Sequence, residues 1–291
     1  MLSRRAWAGV ALSGLVGCGG SKRRTIGVVP KATSHLFFVS IHKGVDKAAQ
    51  DLGVEVIWNG PGEETDHGRQ IQIVDAMVAR GVDAIAISAT DERALAAPVQ
   101  RAIARGIPVT IFDSGVNGTG FVSFIATDNY GAGCTAARTL AKLTGDTGTI
   151  GMVMHKPGGT STVLREQGFE ATLKQEFPKM RIVARQYGMS DESRSMAVAE
   201  NMLSANPGLG GIFASSEASS LGAVQALRSR GLGGKVRLVT FDSSKTHVQG
   251  LRDGIIDVML VQDAFRIGYE AVRSLADKLS GHTPAPRLDL P

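Results

Sequence analysis

The chain has 291 residues, 43% of them hydrophobic but only 5% aromatic, with a formal charge of +5. That length allows one large domain or two ordinary ones with ample core. The aliphatic bias favours a helix-covered Val/Ile/Ala core over an all-β one, and Lys and Arg are scattered rather than blocked, which speaks against nucleic-acid binding.

At the N-terminus, Arg4 and Arg5 precede a short apolar run over 6–17, and Cys18, Gly19 and Gly20 follow. A charged start, a brief apolar stretch and small residues mark a secretory signal. The run is shorter than the roughly 20 residues that span a bilayer. Leu15, Val16, Gly17 and Cys18 look like a bacterial lipobox. On that reading 1–17 is a lipoprotein signal peptide, Cys18 is the lipid-attachment site, and 18–24 is a polar tether. The mature chain then lies in the periplasm or cell envelope, anchored to the membrane. Cys134 remains the single free thiol, on a predicted helix among small residues, where packing is its expected role.

From residue 25 strands and helices alternate. A strand is predicted over 25–29. Phe38, Ile41, Val45, Ala48, Ala49 and Leu52 then fall at helical spacing, ended by Gly53. A strand over 54–58 follows, then a helix over 66–80 with Ile71, Val74 and Val78 inward. Next come a strand over 84–88, a helix over 93–105 and a strand over 109–113. Gly81, Gly106 and Gly231 each follow an Arg and serve as left-handed helix stops. A lobe boundary falls near 126–128. The second half repeats the scheme, with strands over 149–154, 181–187, 211–214, 236–241 and 258–262. Its helices are expected over 130–143, 161–177, 192–205, 219–230 and 245–252, with a last one over 265–279. Such a βαβα rhythm means mostly parallel sheets with helices on both faces.

No phosphate-binding loop, dinucleotide fingerprint or nucleophile elbow is present, and the six histidines show no metal-ligand spacing. The expectation is therefore a non-enzyme without metal or cofactor. In open α/β sheets ligands bind beyond the carboxyl ends of the strands. Those ends carry Lys31, His35, Phe37 and Phe38; Asp113 and Ser114; Ser215, Ser216 and Glu217; Phe241 and Asp242; and Gln262. Arg165 sits on a helix after Gly158 and Gly159. Aromatic rings can cover the C–H faces of a sugar, while carboxylates and a guanidinium make charge-assisted hydrogen bonds to its hydroxyls.

At these residues the chain resembles the ribose-type periplasmic binding proteins, from Thr25 to about Gly281. The resemblance is carried by Phe37 and Phe38, by 109–113 ending in Asp113, by 126–130, by Arg165 with Gly168 and Phe169, by Phe241 with Asp242, and by Gln262. It implies a type I periplasmic-binding-protein fold: two doubly wound parallel-sheet lobes joined by a three-strand hinge and closing on one ligand. The N-terminal lobe is expected over 25–127 plus 263–284, and the C-terminal lobe over 128–262 plus 285–291, with a short third hinge strand. The implied ligand site comprises His35, Phe37, Phe38, Asp113, Ser114, Arg165, Ser216, Phe241, Asp242 and Gln262. His35, Ser114 and Ser216 depart from the ribose pattern, which has Asn, Arg and Asn there. The loss of a donor fork at Ser114 argues against ribose itself. The implied role is that of a monomeric solute-binding subunit for a monosaccharide or polyol, handing it to an ABC permease. The alternative is a sensory binding protein for a sugar or autoinducer-2-like ligand.

Overall fold

The computed structural model describes residues 23–290. The signal peptide expected over 1–17, Cys18 and most of the tether lie outside the described residues. The first half runs β1 (Thr25–Val29), α1 (Leu36–Leu52), β2 (Glu55–Trp58), α2 (His67–Arg80), β3 (Ala84–Ile87), α3 (Ala96–Ala104), β4 (Val109–Phe112) and β5 (Ser123–Thr127). The second runs α4 (Asn129–Thr144), β6 (Gly148–Met154), α5 (Thr160–Glu176), β7 (Met180–Tyr187), α6 (Glu192–Ala205), β8 (Gly211–Ala214), α7 (Glu217–Ser229), β9 (Arg237–Phe241), α8 (Lys245–Arg252) and β10 (Val258–Leu260). Two elements close the chain, α9 (Ala264–Leu279) and β11 (Arg287–Leu290).

The strands form two sheets, ordered β11-β5-β4-β3-β1-β2 and β10-β9-β8-β6-β7. Every pairing is parallel. Without β11, the two orders are the same: the second strand flanks the first, and the third to fifth extend the other way. The strand order therefore reverses beside β1 in one lobe and beside β6 in the other, and that is where a doubly wound sheet opens a crevice at its carboxyl edge. Inner strands β3, β4 and β8 are buried along their whole length, as a sheet covered on both faces requires. Each sheet is sandwiched between two apolar cores, one on either face.

The predicted left-handed stops are realised, with φ of 72° at Gly81, 78° at Gly106 and 60° at Gly231. On α2 the inward residues are Ile73, Val74, Met77 and Val78, whereas Ile71 is only half-buried at the margin of the core. The strand β5 lies where the sequence pattern marked only a lobe boundary.

Chain crossings set the hinge. The first passes from β5 to α4 and the second from β10 to α9, and each enters its helix on an aspartate. Asp128 accepts from Gly131 N–H and Asp263 from Arg266 N–H. After the second crossing α9 packs on α1, in the first lobe. Gly44 and Gly268 let these helices touch: a Cβ on Gly44 would lie 1.9 Å from Phe265 O, and one on Gly268 2.1 Å from Ile41 O. In the second lobe, Gly133 and Gly168 serve α4 and α5 in the same way.

The expected assignment of 285–291 to the C-terminal lobe is corrected. β11 pairs with β5, Leu290 opposite Thr127, in the first sheet. The physical reason is that β5 offers an unpaired edge there, and Leu290 at 2% exposure completes the core beneath α1 and α9. The chain therefore crosses between lobes twice among the described residues.

Candidate ligand-binding site

The carboxyl edges of the two sheets face each other, and the site lies between them. In the first lobe the turn after β1 carries Lys31, α1 begins after His35, the loop after β2 carries Glu64, and Asp113 follows β4. In the second lobe His155 follows β6, Ser161, Thr162 and Arg165 lie on the first turns of α5, Ser216 and Glu217 open α7, Asp242 follows β9, and Gln262 follows β10. Together with Phe37, Phe38 and Ala218 these line one small cavity.

The two strand-end aspartates are equivalents. Asp113 and Asp242 sit in the left-handed region, with φ of 56° and 67°, which Asp tolerates better than most residues. Each amide donates to the neighbouring strand at 2.8 Å, Asp113 to Ile125 O and Asp242 to Leu260 O. The sharp turn after the strand swings both carboxylates into the cleft. Ser88 Oγ donates to Asp113 at 2.7 Å. Gln262 Nε2 donates to Asp242 Oδ1 at 2.7 Å, and the Glu217 amide to its Oδ2 at 3.1 Å.

Arg165, 2% exposed, is fixed on three sides. Its Nε donates to Asn129 Oδ1 at 2.7 Å, one terminal nitrogen donates to Ser215 O at 3.0 Å, and the guanidinium carbon lies 4.3 Å from the centre of the Phe241 ring. Stacking and a planar donor fork suit arginine rather than lysine.

Two sequence-predicted site residues do not face the cavity. Phe241 supports Arg165 from below and belongs to the core between α4, α5 and the second sheet. Its strand alternation points it into that core. Ser114 is buried against the other lobe, 3.2 Å from the Thr160 hydroxyl, because the turn that presents Asp113 carries the next side chain away from the cleft. His35, Phe37, Phe38, Asp113, Arg165, Ser216, Asp242 and Gln262 do line it. Phe38 is shared with the core, and its ring meets Phe37 edge-on at 5.2 Å.

The sequence reading left out Lys31, Glu64, His155, Ser161, Thr162 and Glu217. Lys31 and Glu217 stand at predicted strand ends but outside the site that the resemblance implies, and His155 directly follows a predicted strand. Glu64 carried no signal, since its loop has no regular pattern. Lys31 Nζ lies 3.2 Å from Asp113 and 3.5 Å from Glu64, and it donates across the cleft to Ser161 Oγ at 3.3 Å. It is the cation beside Asp113 in this cleft. The other lobe answers in kind, with the Lys156 ammonium donating to Thr90 O.

Burial favours the uncharged form of each group, and the neighbours decide the outcome. It works to raise the Glu64 carboxyl, but Lys31, His155 and His35 outweigh it and hold that acid well below the usual range. Burial likewise opposes the Lys31 charge, yet Asp113 and Glu64 leave its pKa raised. His35 is also raised, because Glu64 outweighs burial, whereas burial keeps His155 lowered. Burial raises Glu217. Just behind the cleft wall it pushes Glu166 up to about 7 and brings Lys156 down to about 8.

Fold and site together define a two-lobed protein with one polar cleft between paired sheet edges. The profile described as periplasmic binding protein domain matches residues 26–283, and the chain belongs to that family. It is 29% identical over 263 residues to the ribose import binding protein RbsB of Bacillus subtilis, covering 90% of this chain and 84% of that one. Among solved structures, it resembles a carbohydrate transporter solute-binding protein from Agrobacterium radiobacter in complex with D-arabinose. The TM-score is 0.90 and the identity 31%, over 93% of both chains. An ABC transporter solute-binding protein from Agrobacterium vitis bound with α-D-tagatopyranose superposes with a TM-score of 0.88 and 30% identity, over 92% of this chain and 93% of that one.

Proposed function

We propose that this chain is the extracytoplasmic solute-binding subunit of an ABC importer, that it is not an enzyme, and that its cleft takes a neutral monosaccharide or related polyol. It works as a monomer tethered through a lipid on Cys18. The observation that carries the ligand class is the balance of groups in the cleft. Glu64, Asp113, Asp242 and Glu217 are met by Lys31, Arg165, His35 and His155, a balance that leaves no surplus of cations for a sugar acid or sugar phosphate. The carboxylates accept from hydroxyls and Arg165 donates to them. Gln262 Oε1, buried with no protein partner, is an acceptor matched to one more hydroxyl. Phe37 offers an apolar face.

Binding then follows from closure. Ligand docks on one lobe, the two crossings bend, and the other lobe completes the hydrogen bonds. The test is thermal unfolding of residues 19–291 with pentoses, hexoses and polyols. Ligand at one hundred times its dissociation constant stabilises by about 2.7 kcal/mol. Asp113→Asn and Asp242→Asn keep a residue that accepts the left-handed turn and are expected to abolish the shift. Absence of a shift with every neutral sugar and polyol would overturn the reading.

A further inference from the structure

We propose that Glu64 and His155 form a gauge across the cleft, selecting the ligand by how closely it lets the lobes approach. The proposal rests on the reading of the cleft as a sugar or polyol site and assigns that site its size preference. Glu64 belongs to the first lobe and His155 to the second, and Glu64 Oε2 lies 2.9 Å from His155 Nε2. Both are buried, at 3% and 2% exposure.

Each arm is braced by its own lobe. Glu64 is held by Lys31 at 3.5 Å and by His35 Nδ1 at 3.4 Å. On the other side, His155 Nδ1 lies 2.9 Å from Ser216 Oγ, and the His155 amide donates to Glu166 at 3.0 Å. With both arms fixed, neither side chain can follow a retreating partner. A hydrogen bond of this kind is lost by about 3.6 Å, so the contact tolerates less than an ångström of extra separation.

A second tie spans the cleft elsewhere. The Glu217 carboxylate, from the second lobe, accepts from the amides of Leu36 and Phe37 at 3.2 and 2.9 Å. It thus caps the N-terminus of α1 from across the cleft, where a negative charge is favoured. Together with the Lys31–Ser161, Lys156–Thr90 and Ser114–Thr160 contacts, these ties fix the separation of the lobes as well as their angle.

A ligand too thick for that separation leaves a buried carboxylate and a buried imidazole without their cross-lobe partner. Unpaired buried polar groups are what give a polar site its power of rejection. The small cavity between the ties fits the same conclusion. The gauge therefore favours the smaller members of the neutral sugar and polyol class over the larger ones.

The test is calorimetric titration of a neutral four-, five- and six-carbon series into wild type, His155→Ala and Glu64→Gln. Wild type is expected to favour the smaller ligands over hexoses by about tenfold, which is about 1.4 kcal/mol. His155→Ala should lower that ratio severalfold, the other cross-lobe contacts keeping the remainder, whereas Glu64→Gln, which keeps a hydrogen-bonding group of the same length, should retain most of it. Parallel weakening toward all ligands, or an unchanged ratio, would overturn the gauge while leaving the sugar site standing. If wild type binds none of the series, the sugar reading falls. The tie is then judged by small-angle scattering without ligand: a larger radius of gyration in His155→Ala supports it, and an unchanged radius overturns it. Circular dichroism confirms that each variant is folded.

Discussion

Glu166 is 3% exposed, and its carboxyl is pushed up to about 7 from an ordinary 4.5. Burial is the main cause, opposed by the Ser215 hydroxyl at 2.7 Å and the His155 amide at 3.0 Å, both donating to Oε1. In the folded protein the acid therefore keeps its proton where the unfolded chain has lost it. The folded state binds more protons, so this group makes stability fall as pH rises from about 4.5 to about 7. The full penalty, at 1.36 kcal/mol per unit, is about 3 kcal/mol.

Glu166→Gln removes that penalty and keeps an amide oxygen for both donors. Other groups are shifted on folding as well, burial lowering His155 and raising Glu217 and the Glu64 carboxylate raising His35, so the useful quantity is the difference between variant and wild type at each pH. Linkage for this single group, with a folded pKa of about 7 against 4.5 unfolded, predicts that the variant gains about 2.5 kcal/mol relative to wild type between pH 5 and pH 8. Urea unfolding followed by circular dichroism at pH 5, 6, 7 and 8 measures it. A difference constant across that range to within about 0.5 kcal/mol would show that Glu166 is ionised at its ordinary pKa, and the reasoning would fail.

Gly133→Ala places a Cβ 2.0 Å from Arg165 O, forcing α4 and α5 apart. Stability is expected to fall by about 1–3 kcal/mol in urea unfolding, and ligand affinity to fall with it as Arg165 moves. Arg165→Lys keeps the charge but not the simultaneous contacts to Asn129, Ser215 and the Phe241 face, and calorimetry should show affinity reduced about tenfold or more with the fold intact. Lys31→Met keeps the length of the side chain but leaves Asp113 and Glu64 without their shared cation. Urea unfolding should report a loss of about 3–5 kcal/mol, and Lys31→Met with Glu64→Gln should recover part of it.

The fold was legible because its signals are local and repeated. Fully apolar strands such as 84–87, helix stops at Gly81, Gly106 and Gly231, and one βαβα rhythm run twice leave few alternatives to two doubly wound lobes. β5 and β11 were harder. Ser123–Thr127 mixes polar and apolar residues, and Arg287–Leu290 alternates as an edge strand does, so neither stands out from a loop. The lobe that β11 joins is decided by which sheet edge lies open and by the burial of Leu290, and neither is a property of the segment itself.

The site was legible where a residue type and a strand end coincide, as at Asp113, Asp242 and Gln262. Strand ends alone could not say which way a side chain turns. Phe241 and Asp242 are adjacent, and one enters the core beneath Arg165 while the other enters the cleft. Cross-lobe partners were beyond reach for a different reason. Glu64 and His155 are 91 residues apart, and their contact exists only when both lobes are folded and brought together.

The charged cluster of the first lobe is completed by a single contact from the second. Had Lys31 only Asp113 as a partner, the cation would neutralise the strand-end acid and weaken it as a hydroxyl acceptor. Glu64 shares that cation, and His155 shares Glu64, so Lys31 balances an acidic pair and neither acid is quenched. Ser88 and Lys31 both engage Asp113 Oδ2, which leaves Oδ1 facing the cleft. Such an arrangement ties recognition to closure, since the acid that completes the charge balance in the first lobe is the one that His155 reaches from the second.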